Sequence, residues 1–571
     1  MVTSQQAVVR FPAASSISHV EVALDDLVHA RQAVARRSIS ERVRLADVCA
    51  DGVLRVAWDW VEASCHAKGV ASNVTARAEE IATGPLATMR YLRLLTQTLR
   101  DVERCGQPRV PRVAIASDGR LRVSVFPCSG QYDQLMLWGF RADTWLNPGV
   151  TLDNLWANIG QQVASPSDAG WVSLVLGAGN ISSIPAIDAL GRLVQQGHSV
   201  LLKLNPVNEY LGPIFERAFE PLLNEGCLRI VTGGAEIGAA AVADDRVDEI
   251  HLTGSVETHD SIVWGRSLEE REQRKLARDP AIRKPVTSEL GNVTPWIIVP
   301  GPYSDHQLRF QAGTIAAALT TNAGFNCVTP RVLVTWRRWR DRERFVDSVQ
   351  SILNHALLRK AYYPGAVSRH ERLVGPPVCS PGGTLPWTLF RDVDSQAWSH
   401  FFRSEWFVNV CVEVALDADS EAAFLDKAAD FVNGELWGTL AAAVTIHPAT
   451  RWPGAHDRRF QEFLGRLKYN TIAINHSPGL MFAIMSPPWG GGSRGTMADP
   501  QSGLGWVHNT FLLDRVDKTV LEGPLVVYPL PFWMPSHPEP EQVAWRLLRL
   551  YHQPSPRNLA GVLTAACRHP W

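Results

Sequence analysis

From Trp171 to Leu252, short apolar runs alternate with helical stretches, and this alternation restricts the chain more than any other feature. Trp171–Leu176, Ser199–Leu204, Leu228–Thr232 and Glu249–Leu252 read as strands, with helices running through Gln196 and over Val207–Glu225 between them. Neighbouring strands joined by helices run parallel, because a parallel connection needs a crossover of a dozen or more residues. Helices must then cover both faces of the sheet. Such a sheet is the expected platform for a nucleotide cofactor.

A second alternating region follows at Trp296–Val299, Arg331–Thr335, Val408–Val414, Leu440–Ile446 and Thr471–Asn475, and predicts a second α/β domain. Before both, Asp25–Arg37, Ser40–Glu62 and Thr75–Glu103 carry apolar residues at helical intervals, until Pro108 and Pro111 end the run. Leu121–Pro127 alternates like a half-buried strand. The charged stretch Glu257–Lys284 reads as a solvated helix with loops, and a proline- and aromatic-rich tail ends in an amphipathic helix near Glu541–Leu550.

At 571 residues the chain is too long for a single core, so two or three domains are expected. Its 56 basic and 57 acidic side chains leave a formal charge of −1, with no field of one sign to hold nucleic acid or an anionic membrane. Only eight of the basic residues are lysines. The nine cysteines, at 49, 65, 105, 128, 227, 327, 379, 411 and 567, form no CxxC pair, so neither a metal site nor a disulfide framework is expected. Met1–Val20 lacks the layout of a secretory signal, and no apolar run is of membrane-spanning length, so a cytoplasmic protein is expected.

Chemistry concentrates in a few segments. Leu176-Gly177-Ala178-Gly179-Asn180 turns tightly after a strand, but Ser182 stands where a dinucleotide fingerprint would need its third glycine. Ile250-His251-Leu252-Thr253-Gly254-Ser255 follows a later strand, where free N–H groups at a helix start favour an anion. Glu289 lies in Ser288-Glu289-Leu290-Gly291-Asn292, and Cys327 in Asn322-Ala323-Gly324-Phe325-Asn326-Cys327. A thiol nucleophile needs an open approach and a nearby base. Downstream stand Ser404-Glu405-Trp406-Phe407 and Pro488-Trp489-Gly490-Gly491.

In this order the segments resemble the aldehyde dehydrogenase superfamily over roughly residues 110–520. The resemblance implies a Rossmann-like cofactor domain, a second α/β catalytic domain and a small oligomerisation arm. It assigns residues 1–120 and 166–286 to the N-terminal helices and dinucleotide-binding domain, and 287–500 to the catalytic domain. The arm falls at 121–165 and 501–530, with 531–571 as a C-terminal extension. Cys327 would be the nucleophile, Glu289 the general base and the Asn180 amide an oxyanion donor. NAD or NADP would contact Gly177, Lys203, Pro206, Gly254, Ser255, Glu405 and Phe407. Pro206 stands where the family often has a glutamate that selects NAD, which leaves NADP open.

Phe325, Trp406, Met481, Phe482 and Trp489 are expected along a substrate tunnel and imply an apolar or aromatic aldehyde. Arg494 is the one candidate clamp for a carboxylate on the substrate. The family's habit implies a homodimer or homotetramer. Two other outcomes fit the same resemblance: an acyl-thioester reductase or coenzyme A-acylating dehydrogenase, and a non-catalytic scaffold, the latter suggested by the departures at Gly179, Pro206, Phe325 and Asn409.

Overall fold

The computed structural model describes residues 11–568 except 117, 129, 131, 158–162, 164–169, 377–381 and 452–454. Most of the arm segment 158–165, Cys379 and the first ten residues therefore lie outside the described residues. Two sheets carry the fold.

The first has seven strands, in the order Trp489–Gly492, Gly503–Val507, Val286–Leu290, Glu249–Gly254, Val172–Leu176, Ser199–Lys203 and Leu228–Val231. The last five are parallel. Every residue of Val172–Leu176 and Ser199–Lys203 is buried, Ser173, Ser199 and Lys203 among them, as a position between two helical layers requires. The chain starts at Val172–Leu176 and builds outward through two strands. It then crosses to Glu249–Gly254 on the other side. The order reverses between those two central strands, so their following turns diverge and leave a crevice at the carboxyl ends.

Gly503–Val507 runs antiparallel against Val286–Leu290, with Gly503 opposite Glu289. A Cβ at Gly503 would lie 2.0 Å from the Ser288 carbonyl oxygen, so only glycine allows this approach. The pairing brings Trp489–Gly492 into the same sheet edge as Glu289.

The second sheet has ten strands. Thr388–Phe390, Val410–Leu416, Pro330–Trp336, Thr294–Ile298, Ala441–Thr445, Thr471–Ile474 and Val516–Glu522 are parallel neighbours in that order. Arg141–Leu146, Leu121–Phe126 and Arg112–Ile115 continue the sheet antiparallel. The strands expected to project as an arm thus extend a sheet of their own chain. Val516–Glu522 sits between Thr471–Ile474 and Arg141–Leu146, its Leu521 fully buried and the Thr519 and Thr144 hydroxyls 2.9 Å apart. This pairing covers backbone groups that an isolated arm would expose.

The N-terminal helices are Ile17–Ala35, Ile39–Ala67, Val74–Ile81 and Ala87–Cys105. The single helix expected over Thr75–Glu103 is broken at Gly84 (φ −115°, ψ −109°) and Pro85, because proline lacks the amide that a continuous helix needs. The break admits Ser182, whose hydroxyl accepts the Trp60 indole N–H at 2.9 Å.

Of two C-terminal helices, Pro540–His552 packs back onto this N-terminal group and Pro556–Cys567 packs on Pro540–His552. Trp545 stacks on Trp58, Arg77 reaches Glu541 at 3.1 Å, and Arg93 donates to the Tyr551 and His552 carbonyls. Beneath Tyr551, Arg90 makes a buried bidentate pair with Asp133, both bonds 2.9 Å. The charged stretch forms Val256–Val263 and Leu268–Ala277, the second with no buried residue. Among the described residues, no helix is long and apolar enough to cross a membrane, and no group of three or more His, Cys, Asp or Glu side chains is placed to hold a metal ion.

Candidate active site

The crevice at the strand reversal encloses about 1680 Å³ and is walled by Gly177, Asn180, Lys203, Gly254, Ser255, Glu289, Cys327, Glu405 and Phe407. Segments more than two hundred residues apart in the chain meet there. The Gly177 N–H donates to the Lys203 carbonyl at 3.0 Å, which closes the first turn. Gly179 packs so close to Asn205 that a Cβ would lie 2.7 Å from its side-chain oxygen. Asn180 is buried, and its amide donates to the Phe325 carbonyl at 3.0 Å, tying this turn to the thiol loop.

Across the crevice, Ser255 caps the helix Val256–Val263 by accepting from Thr258 N–H at 3.2 Å. Free N–H groups of that first turn suit an anion. Burial lowers the Lys203 pKa, while the charges of Glu209 and Glu236 pull it back up.

The Glu405 carboxylate lies directly over Gly291, where a Cβ would come within 1.7 Å of it. Burial pushes Glu405 up to about 7, against the pull of the Arg331 guanidinium, and its Oε1 has no hydrogen-bond partner. Phe407 holds a left-handed backbone (φ 46°), which costs a bulky residue about 1–3 kcal/mol and is retained where surroundings dictate it. Glycine turns, an open helix start and an unsatisfied buried carboxylate oxygen together fit a dinucleotide with its phosphates and ribose hydroxyls.

Cys327 and Glu289 are neighbours at the crevice wall, close enough that each shifts the other's pKa. Burial, and then the charges of Glu289 and Glu405, raise the thiol pKa well above its ordinary value. Burial also pushes Glu289 up to about 8, and Asp188 adds to the shift. One Glu289 oxygen has no partner.

Asp188 escaped the sequence reading. It accepts from His508 at 3.0 Å and from the Thr253 hydroxyl at 2.9 Å, with His251 3.4 Å away. Burial alone would raise it, but the two histidines hold it well below the usual carboxylate range. The available signal was a charge inside the otherwise apolar helix Ile184–Leu190.

Other expected residues fall elsewhere. Pro206 is outside the crevice, in a smaller hollow with Lys68, Tyr210 and Tyr362. None of the five residues expected along a substrate tunnel lines the crevice. Phe325 is 1% exposed, sealed by Tyr362, Tyr363 and Phe407, because its side chain turns into the core of the ten-stranded sheet. Met481 and Trp489 are buried, and Phe482 packs on Ala178, Ile181 and Ile184 and edge-on to Trp489. Trp406 stacks on Phe401 under the Arg372 guanidinium. Arg494 is paired with Asp517 and is not free to clamp a substrate. Asn409, one of the departures from the family pattern, donates to the carbonyls of Leu385 and Pro386.

Residues 183–372 match the aldehyde dehydrogenase family. No curated relative matches the sequence. Solved structures do. The NADP-dependent glyceraldehyde-3-phosphate dehydrogenase of Bacillus halodurans C-125, complexed with NADP, is similar at 17% identity and TM-score 0.58, covering 89% of this chain and 92% of that one. An NAD-dependent aldehyde dehydrogenase from Sinorhizobium meliloti is similar at 17% identity and TM-score 0.59, covering 89% and 86%. Aldehyde dehydrogenase 21 of Physcomitrella patens, in complex with the reaction product succinate, is similar at 15% identity and TM-score 0.57, covering 89% and 90%. The matched segment lies within a fold that this chain shares with these aldehyde dehydrogenases.

Proposed function

We propose that the protein is an NAD- or NADP-dependent dehydrogenase that oxidises an apolar or aromatic aldehyde to its acid through Cys327. The observation that carries this reading is the placement of Cys327 beside Glu289 inside a crevice shared with Lys203, Ser255 and Glu405. The thiol gives its proton to Glu289, whose raised pKa suits a proton acceptor near neutrality. The thiolate attacks the aldehyde carbon and forms a thiohemiacetal.

One hydrogen of the Asn180 amide is held by the Phe325 carbonyl, which fixes the group and leaves its second hydrogen for the oxyanion. The Cys327 backbone N–H is the second donor. Bound NAD or NADP supplies the hydride acceptor, with Lys203 and Glu405 placed to hold its riboses and Ser255 its phosphates. Loss of hydride from the thiohemiacetal leaves a thioester on Cys327. Glu289, having released the first proton to solvent, then takes a proton from water, which hydrolyses the thioester, and returns that proton to the departing thiolate. A base beside the sulfur favours hydrolysis over acyl transfer to coenzyme A.

Both NADP- and NAD-dependent enzymes stand among the similar structures, which supports either cofactor. The cluster of Ala178, Ile181, Ile184 and Phe482 beside the asparagine turn supports an apolar substrate. A screen of aliphatic and aromatic aldehydes with each cofactor, read by absorbance of the reduced nicotinamide, tests the reading. Activity is expected with the native protein and not with Cys327→Ala. Activity that survives this substitution would overturn the assignment.

A further inference from the structure

Three consecutive residues before the nucleophile, Asn322 (φ 52°), Ala323 (φ 56°) and Gly324 (φ 78°), are left-handed. For the two that carry a Cβ this costs about 1–2 kcal/mol each, so the surroundings must enforce it. What enforces it comes from the N-terminal helices. Lys68, at the end of Ile39–Ala67, is 5% exposed. Its ammonium donates to Glu80 at 2.7 Å, to the Asn180 carbonyl at 3.0 Å and to the Asn322 side-chain oxygen at 3.0 Å.

Tyr362 donates to the same two oxygens, at 2.9 Å to Asn322 and 3.3 Å to Asn180. Glu79, held bidentately by Arg359, accepts the Asn322 backbone N–H at 3.0 Å. The Asn322 amide thereby points back to the carbonyls of Asn180 and Phe325, both at 3.1 Å.

We propose that Lys68, with Glu80 and Tyr362, is a positioning device: it locks the Asn322–Gly324 turn onto the Asn180 turn and so sets the separation of the nucleophile from its oxyanion donor. This rests on the aldehyde-oxidising reading for its kinetic consequences, but the lock itself is a property of the resting protein. Lys68 does not line the crevice. Its three bonds converge on the two loops that do, and their alignment is what an ångström of slack would spoil.

The test compares Lys68→Met, Lys68→Arg and Tyr362→Phe in the full chain. Two readouts are used: steady-state kinetics, and the rate at which iodoacetamide modifies Cys327, followed by mass spectrometry of the peptide that carries it. Lys68→Met is expected to lower kcat about 10- to 100-fold, the scale of a small misplacement of reacting groups, with KM for the nucleotide within about twofold. It should also change the Cys327 alkylation rate at least threefold. Lys68→Arg should recover part of both, and Tyr362→Phe should lower kcat several-fold.

Unchanged kcat and alkylation in folded Lys68→Met would overturn the proposal. Should that variant fail to fold, unchanged kcat and alkylation in Tyr362→Phe would do the same. Because alkylation needs no turnover, the lock stands or falls separately from the reaction. Activity persisting in Cys327→Ala would sink the reaction alone.

Discussion

The two sides of the crevice are built by opposite means. On the seven-stranded side, Gly254 and Ser255 form a short turn directly after a strand, shaped by residues within a few positions, and Gly177 follows its own strand with its N–H on the Lys203 carbonyl of the next. On the thiol side, Cys327 follows a strained turn held by Lys68, Glu79 and Tyr362, and Glu405 presses on Gly291. A binding turn needs exposed N–H groups and room, which glycine and a helix start provide locally. A nucleophile needs a fixed address among charges, and only distant segments supply that.

The largest blow to the thiol side should come from Cys327→Ala, with aldehyde oxidation falling about 10⁴-fold or more while nucleotide binding, measured by fluorescence titration, is retained. Glu289→Gln should cost about 10²- to 10⁴-fold in turnover, because both the thiol and the hydrolytic water lose their proton acceptor. In the native protein, turnover should rise with pH through about 8 as Glu289 ionises.

Stability should move the other way. A carboxyl whose folded pKa lies above its unfolded one favours the folded state less as pH rises from about 4.5 toward 8. Calorimetry should therefore find Glu289→Gln more stable than the native chain at pH 8, with the gap closing at pH 5.

Gly291→Ala probes the boundary between the two sides. The added Cβ displaces the Glu405 carboxylate, and nucleotide affinity should weaken about tenfold, or 1.4 kcal/mol, with Cys327 alkylation little changed. Coupled loss of both would show that the sides are less separate than their construction suggests. The smallest effect is expected on the solvated helix Leu268–Ala277. Leu276 is 86% exposed, and Leu276→Gln should shift stability by no more than about 0.5 kcal/mol in chemical denaturation.

The same contrast explains what could be read from the sequence. The parallel sheet was legible because its strands are buried on both faces and written as apolar runs. Gly254, Glu289, Cys327 and Glu405 were legible because their signals lie in a handful of neighbouring residues. Lys68 was not, since its partners Asn180 and Asn322 lie 112 and 254 positions away and a lysine at a helix end usually faces water. Asp188 hid in an apolar helix for a similar reason: His508, which it receives, is 320 residues on.

The aromatic residues misled in the other direction. Phe325 and Trp489 stand beside the motifs in sequence, but strand alternation and the turn at Gly324 send them into the core. Of the arm strands only Leu121–Phe126 was recognisable, and the place of Val516–Glu522 depends on Thr471↔Thr519, a pairing that no local pattern announces.

The joining of the chain's two ends carries a consequence for synthesis on the ribosome. Glu541 reaches Arg77 across 464 positions, and the helix that bears it covers Val74–Ile81, from which Glu79 reaches the thiol loop directly and Glu80 through Lys68. At about 5–20 residues per second, roughly 23 to 93 seconds separate translation of the two partners. Until then the emerging polypeptide exposes an uncovered helical face, and it is there that a holding chaperone would have something to grip.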